Sequence, residues 1–383
     1  MGTVDLRDAD RACGAKAWHL GVLLRAGLPV PDGVVVTGPV TPDRLRSSPA
    51  AALLDAPVAV RSSAPGEDGP DASFAGQLET ELGVRGAQDV AAAVARCSSS
   101  ARSARVLAYA ARSGSALPER VPVIVQRLVA AEASGVLVTR HPTTGERVTV
   151  VEATWGLGPS VVDGAVVPDT TTVSEEGTVS TRLGDKATRL DLAPDGLVST
   201  AVGDDDRRRP CLPDALALTL AGMGRRCEAL LGGPVDVEWA VAGGRVWLLQ
   251  ARPMTALPVA GAPRSVARAP SPGPPVVTGT GSSGGVATGP VRVVRDVDGF
   301  SAVRRGDVLV CRTTDPAWTP LFRVVAAVVT ETGGLLSHAS IVAREVGIPA
   351  VVGATGALEV LVDGALATVD GDRGVVTPEE DGR

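Results

Sequence analysis

Residues 330–353 read TETGGLLSHASIVAREVGIPAVVG, and this stretch decides the fold of the C-terminal part of the chain. An apolar strand runs into a glycine pair at 333–334, and Ser337 stands where it can cap the helix that follows. Gly347 is typical of the residue that ends such a helix. The helix would begin at His338, where unpaired backbone N–H groups and a positive dipole end favour an anion attached to the imidazole.

Short apolar runs on both sides of this segment predict further strands, so that the C-terminal part forms a compact α/β domain. The expected strands are 291–294, 308–311, 326–330, 350–352, 366–369 and 374–377, around a helix at 338–346. The N-terminal part also alternates between strands and helices, and the fold class expected for the whole chain is α/β (α+β). Its expected strands are 34–36, 58–60, 123–125, 135–139, 148–151, 235–239 and 246–249, and its clearest helices are Asp89–Arg112 and Asp214–Leu231.

A segment rich in Pro, Gly and Ser, without apolar periodicity, separates the two parts at residues 257–283. Such a composition is typical of a semi-rigid linker. The sequence therefore predicts an N-terminal domain over 1–256 and a smaller C-terminal domain over 284–383. The proline content predicts a semi-rigid linker that lets the C-terminal domain move relative to the N-terminal domain.

Composition excludes several classes of function. The net charge of −6 argues against binding to nucleic acid, and aromatic residues at 2% are too few for base-stacking platforms. No apolar run approaches the length of a membrane helix, and the N-terminus lacks the features of a secretory signal. The five cysteines are odd in number and widely spaced. We expect a cytoplasmic protein with free thiols and no membrane or nucleic-acid partner.

Charged residues in the N-terminal part suggest a site for phosphates and a metal ion. Arg61 ends an apolar strand, where a permanent charge is costly unless an anion meets it. Glu238 lies in the alternating run VDVEWAV, and Gln250 and Arg252 lie in the adjacent run RVWLLQARP, so these side chains can point to one face. Carboxylate and amide oxygens suit Mg²⁺, and arginine suits phosphate. Asp236 is a weaker candidate beside them.

The segment around His338 resembles the phosphohistidine domain of phosphoenolpyruvate synthase, pyruvate phosphate dikinase and rifampin phosphotransferase. The preceding run TTDPAWTPLF at 313–322 also resembles the lead-in of that family, in the form found in rifampin phosphotransferase-like members. The resemblance implies a swivelling β/β/α domain in which His338 carries a phosphoryl group between distant sites.

The N-terminal part resembles the nucleotide-binding domain of the same family, which has the ATP-grasp fold. The opening CGAKAWHLG at 13–21 implies that Lys16, one of only two lysines in the chain, reaches the phosphates of ATP. Further implied ATP contacts include Arg61, Gly76 and Thr80 around the triphosphate and Gln126 at the adenine edge. The resemblance also implies that Glu238 and Gln250 hold Mg²⁺ and that Arg252 grips phosphate; the expected catalytic residues are Lys16, Arg61, Arg252 and His338.

Two further residues of family-like segments have no firm role. His141 precedes a proline in a turn and is expected to be structural, and the run RLGDKAT at 182–188 places Lys186 in a loop without indicating its function.

The resemblance leaves the acceptor open, because the sequence has no counterpart of the pyruvate-binding barrel or of the rifampin-binding domain. We expect a dikinase-type enzyme that passes the β-phosphoryl group of ATP through His338 to a small-molecule acceptor in specialised metabolism or antibiotic modification. The alternative is a phosphocarrier that docks to a separate acceptor-binding protein. A degenerate nucleotide sensor is disfavoured, because Lys16, Arg61, Glu238 and His338 occur together.

Overall fold

The computed structural model describes residues 2–64, 80–100, 120–254, 257 and 276–379, with the backbone of 68–69 and 72–73. Its first layer is a five-stranded antiparallel sheet in the order β1-β2-β7-β3-β6. The strands are β1 (Thr3–Asp5), β2 (Gly33–Val36), β3 (Val58–Ser62), β6 (Thr80–Val84) and β7 (Val123–Arg127), with a separate short pair formed by β4 (Asp68–Gly69) and β5 (Ala72–Ser73).

A six-stranded antiparallel sheet forms the second layer of the N-terminal part, in the order β11-β10-β9-β8-β14-β15. A two-stranded hairpin lies beside it. The six strands are β8 (Ala133–Val138), β9 (Thr149–Trp155), β10 (Asp169–Val173), β11 (Val179–Arg182), β14 (Val235–Ala242) and β15 (Arg245–Pro253), and the hairpin consists of β12 (Thr188–Ala193) and β13 (Gly196–Ala201).

Helices cover both sheets. The apolar faces of α1 and α6 pack on the six-stranded sheet, where Leu20, Leu220 and Trp239 share one core, and α3 packs on the five-stranded sheet through Val90 and Val94. The helices of this part are α1 (Ala15–Arg25), α2 (Pro42–Arg46), α3 (Gly86–Ser99), α4 (Pro159–Val162), α5 (Asp204–Arg207) and α6 (Asp214–Leu231), with 3₁₀ turns at Leu6–Asp8, Arg11–Cys13 and Pro49–Leu53.

The C-terminal part is built on an eight-stranded mixed sheet in the order β16-β23-β22-β18-β19-β20-β21-β17. Strands β18 to β21 pair in parallel, as the helical connections between them require. The elements are β16 (Val277–Thr278), β17 (Thr280–Ser283), β18 (Val286–Val293), β19 (Val308–Cys311), α7 (Thr319–Phe322), β20 (Ala327–Thr330), α8 (His338–Val346), β21 (Ala350–Val352), α9 (Ala357–Val360), β22 (Leu366–Asp370) and β23 (Val375–Pro378), with 3₁₀ turns at Val297–Ala302 and Pro316–Trp318.

The expected α/β (α+β) class and the helix beginning at His338 are confirmed. Gly347 ends that helix with φ +79°, in the left-handed region where glycine is favoured. Ser337 occupies the N-cap position, but its hydroxyl donates to the carbonyl of Gly334 (2.8 Å) instead of capping a helical N–H group. The helix expected over Asp89–Arg112 begins at Gly86 and ends at Ser99, and residues 101–112 lie outside the described residues.

Strands β16 and β17 fall inside the segment 257–283 that the sequence assigned to a linker, and both pair with the C-terminal sheet. Residues 258–275 lie outside the described part of the chain. The domain bounds 1–256 and 284–383 therefore stay predictions, with the C-terminal sheet taking its first strands before residue 284.

Two other expectations concern the whole chain. All five cysteines are free and buried, as their spacing predicted. Across the described residues, the structure contains no helix that is both long enough and apolar enough to span a bilayer.

Lys186, whose role could not be predicted from the sequence, is fully buried and holds three segments together. Its ammonium group donates to the carboxylate of Asp169 and to the carbonyls of Gly184 (3.0 Å) and Arg207 (3.1 Å). Asp169 also accepts from the backbone N–H of Cys211 (2.9 Å). The three donors of the ammonium group are thus all matched by acceptors, which gives Lys186 a structural role.

We expect Lys186→Met to lower the free energy of unfolding by about 3–5 kcal/mol, because the Asp169 carboxylate would remain buried without its counter-charge. Arg147→Met is the matched control, since it removes an exposed pair with Glu175 and should cost at most about 1 kcal/mol. Urea unfolding of both variants measures the difference. Equal losses would show that the buried pair is not what holds these segments together.

Candidate active site

A cavity of about 380 Å³ lies between the two N-terminal sheets and is also lined by residues of the C-terminal part. Its walls come from strands of both sheets, from α4 and from the start of α8. Gly76 lies outside the described residues. Every other residue that the sequence nominated lines this one cavity: Lys16, Arg61, Thr80, Gln126, Glu238, Gln250, Arg252 and His338.

Lys16 owes its position to a close approach between the start of α1 and the end of β3. Gly14 has φ +86°, and a Cβ there would lie 1.8 Å from the carbonyl oxygen of Ser63, so only glycine fits. The backbone N–H of Ala17 donates to the Ser63 hydroxyl (3.1 Å). These contacts fix the first turn of α1 beside the cavity and hold Lys16 at its wall.

Arg61 meets its anion within the protein. Its Nη2 donates to Oε2 of Glu238 at 2.6 Å, and its Nη1 donates to the carbonyl of Leu249 at 3.3 Å. Burial acts to raise the pKa of Glu238, but the positive charges of Arg61, Arg252 and Lys16 outweigh it and hold this pKa below its ordinary value. Glu238 is therefore a carboxylate at neutral pH, held at a point where three cations converge.

Strands β14 and β15 present the remaining polar residues in register. Glu238 pairs with Gln250 and Asp236 pairs with Arg252 across the hairpin. Arg252 donates to Oδ2 of Asp236 from Nη2 (2.8 Å) and Nε (3.0 Å). This arrangement agrees with the one-face expectation from the alternating sequence.

The donor set that Glu238 and Gln250 offer is chemically suited to Mg²⁺, because both supply hard oxygen ligands on one cavity wall. Within the described residues, no group of three or more His, Cys, Asp or Glu side chains could hold a metal ion. A magnesium ion at these two residues would thus take its other ligands from phosphate oxygens or water.

Apolar side chains also line the cavity, and the sequence did not indicate them. Gln126 lines the same cavity, but it is buried and its Nε2 donates to the carbonyl of Pro31 (3.3 Å). An apolar residue in or near a strand carries no chemical signal by itself, so these wall residues could be found only from the fold. They include Leu82, Leu128, Val129, Leu157 and Leu249.

His338 is half-buried at the start of α8 and lines the polar side of the cavity. Its Nδ1 lies 2.9 Å from the hydroxyl of Thr314, which is buried, whereas its Nε2 lies 3.4 Å from the hydroxyl of Thr319. The edge of the imidazole also faces Phe322. Of these two contacts, the one at Nδ1 is the shorter. Thr314 lies in the motif TTDPAWTPLF, yet its role was not predicted.

Two acidic residues of the cavity were also missed. Asp163 follows α4, and Asp315 follows Thr314 in the other part of the chain. Burial is the main cause that raises the pKa of Asp163, and the nearby carboxylates of Asp315 and Glu238 raise it further. The two parts therefore bring negative charges together at the cavity.

His141 and Lys186 do not line the cavity. The Nδ1 of His141 lies 3.1 Å from the hydroxyl of Thr143 within a turn, in agreement with the structural role expected for it. Burial is the main cause that lowers the pKa of His141.

Two family models match the chain. The model of the pyruvate phosphate dikinase AMP/ATP-binding domain matches residues 43–269, and the model of the mobile domain of PEP-utilising enzymes matches residues 303–374. These matches fit an N-terminal ATP-grasp domain followed by a swivelling domain. Arg61, Glu238 and Arg252 lie in the first matched region, Lys16 precedes it, and His338 lies in the second.

Curated relatives agree with the family models. A probable phosphoenolpyruvate synthase of Methanothermobacter thermautotrophicus is 39% identical over 335 residues, which cover 84% of this chain and 47% of the relative. The phosphoenolpyruvate synthase of Pyrococcus furiosus is 39% identical over 333 residues, which cover 83% of this chain and 40% of the relative. The chain thus spans less than half the length of these relatives.

We expect Lys16→Met to weaken the binding of a non-hydrolysable ATP analogue by about 10- to 100-fold, because it removes a cation from the polar side of the cavity. Adenosine, which lacks phosphates, should bind both proteins equally. Titration calorimetry measures both ligands, with Arg147→Met as a control that removes a cation far from the cavity. An equal loss of adenosine binding would mean that Lys16 stabilises the cavity wall and does not bind the phosphates.

Proposed function

Because the chain belongs to the phosphoenolpyruvate synthase and pyruvate phosphate dikinase family, we propose that it transfers the β-phosphoryl group of ATP through His338 to an acceptor, with release of AMP and inorganic phosphate. The observation that carries the proposal is that His338 lines the same cavity as Lys16, Arg61, Glu238 and Arg252. A histidine that shares a cavity with three cations is suited to attack a nucleotide bound there.

The proposed nucleophile is Nε2 of His338. Thr314 engages Nδ1 at 2.9 Å, and a proton on Nδ1 leaves the lone pair of Nε2 available. Nε2 forms a bond to the β-phosphorus while the bond to the oxygen of the α-phosphate breaks, and AMP leaves with that electron pair. Water then removes the terminal phosphoryl group as inorganic phosphate, and the β-phosphoryl group remains on His338 until an acceptor takes it.

The cations of the cavity would stabilise the charge of the triphosphate. Lys16 is a mobile point charge, whereas Arg61 and Arg252 present planar groups that can bind two phosphate oxygens. Arg61 is paired with Glu238 in this structure. Binding of ATP would exchange that carboxylate for a phosphate oxygen on Arg61. Thr80 lines the cavity where its hydroxyl can donate to phosphate, and Gln126 lies at the end proposed for adenine.

Magnesium is proposed as the cofactor, held by Glu238 and Gln250. When bound, it would neutralise charge on the phosphate oxygens and orient them for in-line transfer. Asp236 keeps Arg252 in place beside this pair.

The acceptor is proposed to be a small molecule, since the relatives are named for the synthesis of phosphoenolpyruvate. The alternative, a separate acceptor-binding protein, follows if the chain phosphorylates itself but consumes no acceptor unaided. In either case His338 must leave the ATP cavity, because one imidazole cannot touch two separated substrates. We propose that the portion of the segment 257–283 that precedes β16 permits this swing between the N-terminal and C-terminal domains, and that the protein works in the cytoplasm.

The protein with Mg²⁺ and ATP should form an acid-labile, base-stable phosphoryl adduct on His338, with AMP and phosphate as products. His338→Ala should abolish the adduct and keep the affinity for the ATP analogue, because the nucleophile is lost while the cation-lined wall remains. Mass spectrometry locates the adduct, and chromatography of the nucleotides identifies the products. ADP as the sole nucleotide product, or an adduct on another residue, would overturn the proposal.

Glu238→Gln and Gln250→Ala should each lower the rate of adduct formation by about 100-fold or more, because each removes or weakens one oxygen ligand of the same ion. The double variant should form the adduct no more slowly than the slower single variant, since both residues serve one metal. Rates are measured over a range of Mg²⁺ concentrations. Near-normal rates at saturating Mg²⁺ for either variant would place the ion elsewhere.

A further inference from the structure

The turn that precedes His338 is bound by a carboxylate from the ATP-binding part of the chain. The backbone N–H of Leu335 donates to Oε1 of Glu152 at 2.5 Å, and that of Leu336 donates to Oε2 at 3.1 Å. Glu152 lies on β9 and is fully buried. One carboxylate thus accepts two successive N–H groups two residues before the reactive histidine, and both of its oxygens are used.

Apolar packing and a close approach of the backbone also hold this turn against the ATP-binding part. The side chains of Leu335 and Leu336 pack into an apolar cluster with Val136, Val150 and Val161 of the ATP-binding part. Gly334 lies directly against the carboxylate. A Cβ on Gly334 would lie 2.2 Å from Oε1 of Glu152, and the three nearest atoms it would meet all belong to that carboxylate. Only glycine at position 334 therefore lets the turn 333–336 pack against the Glu152 carboxylate.

Neighbouring hydroxyl groups extend the contact but do not replace it. Thr332 donates to the carbonyl of Gly164 at 2.6 Å, and Thr313 donates to the carbonyl of Asp163 at 2.9 Å. The N–H of Gly333 donates to the carbonyl of Val166 at 3.0 Å. Among these hydrogen bonds across the two parts, the pair to Glu152 is the one in which the acceptor is a side-chain carboxyl group and not a backbone carbonyl.

We propose that Glu152 is the positioning residue that seats the turn 333–336, and with it His338, over the ATP cavity, and that breaking this contact releases the histidine for delivery of its phosphoryl group. The inference rests on the proposed function, since it assigns Glu152 to the uptake of the phosphoryl group from ATP. Glu152 acts through the turn and does not touch the reacting atoms.

The charge of Glu152 bears on how easily the contact opens. Burial is the main cause that raises the pKa of Glu152 to about 7, against the lowering effect of the two N–H groups and of Arg344 and Arg182. Arg344 lies on α8 and in turn is near Glu345 and Asp236. We call the arrangement in which Glu152 binds the turn 333–336 the seated state. Because the pKa of Glu152 is raised in this state, ionisation of its carboxyl group disfavours the state. The seated state therefore loses stability as pH rises from about 4.5 to 7.

The first test combines Gly334→Ala, Glu152→Ala and the double variant in single-turnover measurements of the His338 adduct. Gly334→Ala should slow adduct formation by about 10- to 100-fold, because its methyl group meets the Glu152 carboxyl group. Glu152→Ala should slow it by a similar factor, because two buried backbone N–H groups lose their acceptor. The double variant should be no slower than Glu152→Ala alone. Affinity for the ATP analogue should stay normal in all three.

Gly222→Ala is the matched control, because a Cβ there meets nothing within 4 Å and should leave the rate unchanged. A normal rate for Gly334→Ala, or losses that multiply in the double variant, would overturn the proposal. Hydrogen exchange of the Leu335 and Leu336 amides separates this inference from the proposed function. Protection in the wild type that disappears in Glu152→Ala supports the seating contact even where no adduct forms, and equal exchange in both proteins overturns it.

The pH profile supplies a readout that a purely structural role would not change. The adduct rate of the wild type divided by that of Glu152→Gln cancels titrations that both proteins share. This ratio should fall by about tenfold or more between pH 5.5 and 8.5, because only the wild type loses a proton from the seated residue at 152. A flat ratio would show that ionisation of Glu152 does not govern seating.

Discussion

The ion pair between Arg61 and Glu238 joins β3 of one sheet to β14 of the other across the cavity. A guanidinium group is a permanent charge, so Arg61, near the end of β3, must be met by an anion. The chain supplies Glu238 for this purpose and keeps it ionised. The same two side chains can later exchange partners with a phosphate and a metal ion, so neither charge is left buried alone.

The contact between the two parts depends on opposing contributions of similar size. Burial of Leu335 and Leu336 favours contact by about 2 kcal/mol for each side chain, and the cost of removing the Glu152 carboxylate from water opposes it. A surface held only by leucines would be slow to open, whereas one held only by a buried carboxylate would not form. Their combination gives contact that is specific in geometry and still reversible.

The sequence nominated polar residues that line one cavity, but it did not indicate the surfaces that hold them. His338 was nominated from a motif that resembles the family, whereas Arg61 and Glu238 also stood out as charged groups within apolar strands. Glu152 was not nominated, since it lies in the run VVEATWG, where one acidic residue within an apolar strand gives no sign of its partner. Its ligands are backbone N–H groups 183 and 184 residues away, which have no signature in sequence. Pairing of β16 and β17 with the C-terminal sheet was hidden for a similar reason, because their composition resembles a linker.

Seating through backbone groups has a consequence for the second half of the reaction. When the turn leaves Glu152, two N–H donors and two leucine side chains lose their cover at once. Water can accept hydrogen bonds from the two N–H groups, but exposure of the two leucine side chains to water remains unfavourable. In the proposed reaction, the phosphorylated histidine would therefore move with a turn that gains free energy from any surface with an apolar floor and a hydrogen-bond acceptor. The same chemistry that would seat His338 over ATP could seat it again at the acceptor, so no second docking surface on the histidine-bearing part would be required.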